Sequence, residues 1–94
     1  MLNKIVQDDK FKTSLSKILN YIALDSKNRA TTFKNTLKKS LNDLVYMPYK
    51  FRKSIYFDNN DIRDFIFMGY CITYVIDEEN EQIILLDIFK WMDR

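Results

Sequence analysis

Apolar and polar positions recur along this chain with two periods, and each period names its elements. Leu2–Val6 is a short apolar run and reads as an opening strand. Asp8 and Asp9 suit the N-cap of the stretch that follows, where Phe11, Leu15, Ile18 and Ile22 recur at i, i+4, i+7 and i+11. Leu19 widens that stripe, and the spacing predicts an amphipathic helix to about Leu24. Asp25-Ser26 interrupts the pattern, and Ser26 can cap a second helix. Its stripe is Ala30, Phe33, Leu37, Leu41 and Leu44, with Lys34, Lys38 and Lys39 largely off it. The short connection predicts an antiparallel helical hairpin. Pro48 ends the second helix, because proline restricts its predecessor and cannot continue the hydrogen-bond ladder.

Tyr49–Asp58 is irregular, basic and aromatic, and Asn59-Asn60-Asp61 is turn chemistry. Three runs rich in Ile, Val, Phe and Tyr follow: Ile62–Met68, Tyr70–Ile76 and Gln82–Phe89. Gly69, the only glycine, sits where a tight hairpin must reverse the chain. Asp77–Glu81 is a polar loop closing a second hairpin. The order β-α-α-β-β-β predicts a two-layer α+β fold, with an N-terminal strand, a helical hairpin and an antiparallel sheet. The length of 94 residues fits one domain over residues 1–94.

Composition removes several chemistries. There are no histidines and one cysteine, so no metal site is expected, and no Ser-His or Cys-His nucleophile pair can form. No cofactor motif is present. No apolar run reaches the roughly 18–20 residues that span a bilayer. The first nine residues lack an apolar core and include two acids, so no signal peptide is expected and the cytoplasm is the expected location. The net charge of +2 hides a division. Residues 1–56 carry twelve Lys and Arg against four Asp and Glu, a net +8; residues 57–94 carry three against nine, a net −6. Such a dipolar surface steers a charged partner, or is simply a solvated Lys-rich helix layer.

Several short motifs carry a family resemblance. Ile62-Arg63 is followed, seven residues after the arginine, by Tyr70 in Gly69-Tyr70-Cys71-Ile72-Thr73-Tyr74-Val75-Ile76-Asp77. The first helix ends in Asn20-Tyr21-Ile22-Ala23, and the second ends over Leu44 to Pro48. With the element order, these resemble the RelE/ParE superfamily of bacterial type II toxins, closer to the ParE branch. The resemblance implies a toxin that inhibits growth and is neutralised by a cognate antitoxin. It also implies one of two targets. The RelE branch cleaves mRNA on the ribosome, whereas the ParE branch poisons DNA gyrase.

The residues bear on that choice. RNA cleavage needs a base for the 2′-OH, charge to stabilise the phosphorane and an acid for the leaving oxygen. The positions where RelE-type members carry two lysines and an arginine are Ile62, Asp64 and Cys71 here, and no counterpart of their C-terminal tyrosine precedes Arg94. A rearranged set would draw on Arg63, Lys90 and Arg94, with Tyr74 or Tyr56 as proton carrier. Tyr74 alternates with Ile72 and Ile76, so packing competes with that role. Cys71 is either a small buried hydrophobe or a nucleophile without a base. Asp87 is expected to face solvent or pair with a base across the sheet. Lys50, Arg52, Lys53 and Arg63 are candidates for binding a target or nucleic acid, because interleaved aromatics can stack on bases or anchor a protein contact. Phe89, Trp91 and Met92 either pack over the sheet edge or dock the antitoxin. Three readings stay open: a toxin that works by binding, an mRNA interferase, and a non-toxic binding module.

Overall fold

The computed structural model describes residues 2–91. Among them are β1 (Lys4–Gln7), α1 (Asp9–Asp25), α2 (Lys27–Asn42), a single 3-10 turn (Asp43–Val45), β2 (Ile62–Phe67), β3 (Tyr70–Asp77) and β4 (Gln82–Lys90). The expected β-α-α-β-β-β order is present, as an α+β fold. Met92 and Arg94 lie outside the described residues.

The helix boundaries follow local chemistry. The Asp8 side chain accepts from the Lys10 amide and starts α1. Ser26 then does two jobs from an extended backbone: its N–H donates to Ile22 O, closing α1, and its hydroxyl accepts from the Arg29 amide, opening α2. The connection is thus one residue long. Asp25 and Arg29 pair across it at 2.6 Å. The second helix stops at Asn42, short of the expected limit at Pro48, because Asn42-Asp43 favours capping over helix interior. Leu44, assigned by its spacing to that helix, is buried on the 3-10 turn instead.

The sheet runs β1-β4-β3-β2. β2, β3 and β4 form the expected antiparallel meander, while β1 joins parallel to β4, from Lys4 opposite Gln82 to Gln7 opposite Leu85. The sheet is therefore mixed rather than wholly antiparallel. The opening strand also starts two residues later than its apolar run and ends one residue later. Leu2 is buried just ahead of it, because pairing with β4, and not apolarity, sets the strand. Met68 and Gly69 both have positive φ (47° and 85°), the geometry of a two-residue hairpin turn.

Alternation sorts the sheet into two faces. Phe65, Phe67, Ile72, Tyr74, Ile76, Ile83, Leu85 and Ile88 turn to the helices and form the core with Phe11, Phe33, Leu37 and Leu41. Phe33 stands edge-on to Phe67 at 5.4 Å and to Tyr70 at 5.5 Å, tying α2 to the β2–β3 hairpin. The opposite face carries Asp64, Cys71, Thr73 and Phe89. The register of β3 on β4 shifts at Thr73/Tyr74, leaving Leu86 as an extra residue. This bulge redirects Asp87. Its carboxylate accepts from Ser14 Oγ at 2.7 Å and lies 3.5 Å from Lys10 Nζ, both on α1. The expectation of solvent or a cross-sheet base is corrected: the partners come from the helical layer.

Candidate functional site

The face of the sheet away from the helices is crossed by a strap, residues 49–57. It begins as an added edge on β2. Ser54 N–H donates to Ile62 O at 2.8 Å and Asp64 N–H to Arg52 O at 3.1 Å, around a Lys53–Arg63 bridge. Beyond Ser54 the chain turns over the face. Tyr56 then reaches β4 and meets the Phe89 ring edge-on at 5.4 Å.

A buried carboxylate holds the strap down. The Asp64 side chain is fully buried, Thr73 Oγ1 donates to its Oδ1 at 3.1 Å, and Ile55 N–H donates to its Oδ2 at 3.2 Å. Arg52 Nη2 lies 3.8 Å from the same Oδ2. The Arg52 guanidinium also sits 4.7 Å from the centre of the Trp91 ring, and Trp91 N–H donates to Gly69 O. Two hydrogen bonds and one half-exposed cation thus compensate a charge that would otherwise be costly to bury.

Arg63 anchors the other end. Its Nη1 donates to Phe51 O at 3.0 Å, its Nε to Asn60 O at 3.0 Å and its Nη2 to Asn60 Oδ1 at 3.1 Å. It also stacks over Tyr49, 4.9 Å from the ring centre. The Tyr49 hydroxyl lies 3.1 Å from Asp61 Oδ1 and 3.2 Å from Glu78 Oε2. Partial burial and these two carboxylates push its phenol up to about 12. Arg63 is therefore committed to its own chain, as a clamp between strap and turn.

The other candidates separate cleanly. Tyr74 has no exposed surface, and its hydroxyl donates to Pro48 O at 2.7 Å. Burial raises its pKa well above the usual phenol range. Cys71 is completely buried. Burial first, and then the Asp64 charge, push its thiol up to about 11, so the thiolate is scarce at neutral pH. Native protein is accordingly expected to resist an aromatic disulfide reagent over minutes, and to yield one reactive thiol once unfolded; rapid stoichiometric labelling of the native chain would contradict this burial. Lys50 and Lys53 are exposed, as is Lys90 at the end of β4. Phe89 and Trp91 are half-buried against the strap through Tyr56 and Arg52. The structure thus gathers Arg52, Lys53, Arg63, Phe89 and Trp91 around one strap, and leaves Tyr74 in the core.

The strap and its root expose the interleaved aromatics expected to anchor a contact, Tyr46 and Tyr56 among them, and add Met47, Ile55 and Phe57. Tyr46, Met47, Ile55, Tyr56 and Phe57 are all exposed, interleaved with Lys50 and Lys53. Fixed, exposed aromatic and aliphatic side chains with cations between them are the anatomy of a protein-docking surface. The missed anchor, Asp64, had one signal in the sequence: a carboxylate inside the apolar run Ile62–Met68 requires a partner. Among the described residues no three His, Cys, Asp or Glu side chains are grouped to hold a metal, and no helix is long and apolar enough to cross a membrane.

Comparison with known proteins adds one match. The family model for the ParE toxin of the type II toxin-antitoxin system, parDE, matches residues 5–91. A search of curated proteins finds no match.

Proposed function

Because the chain belongs to the ParE toxin family of type II toxin-antitoxin systems, we propose that it acts by binding a protein target in the cytoplasm, DNA gyrase by analogy with its family, rather than by cutting RNA. It is the toxin component of such a system, and the partner that such a toxin implies is its cognate antitoxin. The observation that carries the binding mode is the strap. Ile55, Tyr56 and Phe57 are exposed on a segment pinned by Asp64 and Arg63, so target contacts need little ordering of the backbone. Two positions where RelE-type members carry cations, Asp64 and Cys71, are instead buried beneath that segment. Neither side chain presents a surface to a phosphodiester.

A gyrase supercoiling and cleavage assay tests this reading. Purified wild-type protein is expected to inhibit supercoiling and accumulate cleaved DNA. The double variant Ile55→Ser/Phe57→Ser should keep its fold and weaken inhibition roughly 30-fold, the scale of a lost hot spot. No inhibition by wild type at micromolar concentration removes gyrase as the target. Cut ribosome-bound mRNA would instead establish the interferase reading.

A further inference from the structure

The helical layer has a charge pattern that the target reading does not use. From Lys10 to Asn42 the chain carries eight Lys and Arg and a single carboxylate, Asp25. That carboxylate is taken by Arg29, and Lys10 is taken by Asp87. Lys12, Lys17, Lys27, Lys34, Lys38 and Lys39 remain, all exposed and without an ion pair among the described residues.

Four of these cations share one surface. Lys27, Lys34 and Lys38 recur at i, i+7 and i+11 along α2, with Thr31 between them. A shallow groove between the two helices on their outer side is lined by Leu19, Asn20 and Ala23 of α1 and by Lys27, Ala30, Thr31 and Lys34 of α2. Lys12 and Ser16 continue the α1 side of that groove at helical spacing. At a rise of 1.5 Å per residue, the cations from Lys27 to Lys38 extend about 16 Å along the helix.

We infer that this outer face of the helical hairpin binds the phosphate backbone of double-stranded DNA without regard to sequence. Unpaired ammonium groups beside amide and hydroxyl side chains are the groups that contact phosphate oxygens. The groove offers no exposed aromatic or large aliphatic anchor, as an acidic protein partner would need and single-stranded bases would need for stacking. The row of three cations along α2, with Lys12 across the groove, suits a duplex, whose charge density is about one per 1.7 Å of axis. This face lies on the helices, whereas the strap crosses the far side of the sheet, so DNA and a protein target can be held together.

Fluorescence anisotropy with labelled 24-base-pair duplexes of two unrelated sequences tests the inference without gyrase or antitoxin. Both duplexes should bind equally at 50 mM salt. With about four phosphates neutralised, affinity should fall roughly 150-fold between 50 and 200 mM. The variant Lys27→Gln/Lys34→Gln/Lys38→Gln, checked for helicity by circular dichroism, should lose at least about 10-fold at 50 mM and flatten the salt slope. Lys4→Gln, on the sheet edge, should bind as wild type. Lys34→Glu alone should also weaken binding, and serves should the triple variant fail to fold. The inference is overturned by no binding at 50 mM, by unchanged binding in both helix variants, by tighter binding to single-stranded DNA, or by polyglutamate competing more strongly than duplex.

Discussion

Replacing Asp64 with alanine is expected to cost about 2–4 kcal/mol of folding stability and to free the strap. The change leaves the Thr73 hydroxyl and the Ile55 amide without their acceptor in a buried place, each a loss of about 1–3 kcal/mol. Removing a desolvated carboxylate returns part of that, and Arg52, which is half-exposed, recovers water. For a domain of this size the net change corresponds to a fall in Tm of more than about 10 °C. Asp64→Asn keeps the shape and an acceptor, so it should cost less than half as much. Urea denaturation measures the first effect, and limited proteolysis within residues 49–57 measures the second. If Asp64→Ala unfolds within about 0.5 kcal/mol of wild type and is cleaved no faster, the carboxylate is not what holds the strap. Gyrase inhibition should fall with it, since the docking residues would have to be ordered again on binding.

Phe33→Ala is expected to be the more damaging core change, at about 3–5 kcal/mol. Phe33 is buried, and its ring is edge-on to both Phe67 and Tyr70, pairs that add about 0.5–1.5 kcal/mol each beyond area burial. Those contacts join α2 to the β2–β3 hairpin, so their loss loosens the two layers where they meet. Against a total stability of about 5–15 kcal/mol, the variant should melt far below wild type. Phe33→Leu, which fills most of the volume, should lose less than half as much. A cost under about 1.5 kcal/mol for alanine would mean that the neighbouring groove, lined by Tyr21, Met68 and Tyr70, collapses to fill the space.

How much of this was legible from residues alone depends on the range of each interaction. Phe11, Phe33, Leu37 and Leu41 repeat at helical spacing, and all are in the core. Gly69 marks its hairpin because a positive φ is a local demand. The family resemblance rests on the same strands and agrees with the matched family. The parallel pairing of β1 was not legible, since its partner lies 78 positions away, Lys4 opposite Gln82. Nor was the strap. Its fixed points are Asp64 to Ile55 and Arg63 to Phe51, contacts between an irregular segment and a strand that no periodicity encodes. Arg63 looked like a free cation for the same reason: its three acceptors are backbone and amide oxygens contributed by loops.

The same parallel pair dictates an order of assembly. The helical hairpin and the β2-β3-β4 meander rest on neighbouring stretches of chain, which form contacts quickly. β1 has no neighbour to pair with until Gln82–Leu85 has been synthesised, although it is among the first segments to emerge. A nascent chain therefore carries residues 49–57 before it has a closed sheet, and before Phe89 is there to meet Tyr56. Closure of the sheet waits for the last strand, and until then the edge of β1 stays open to any other strand that can pair with it.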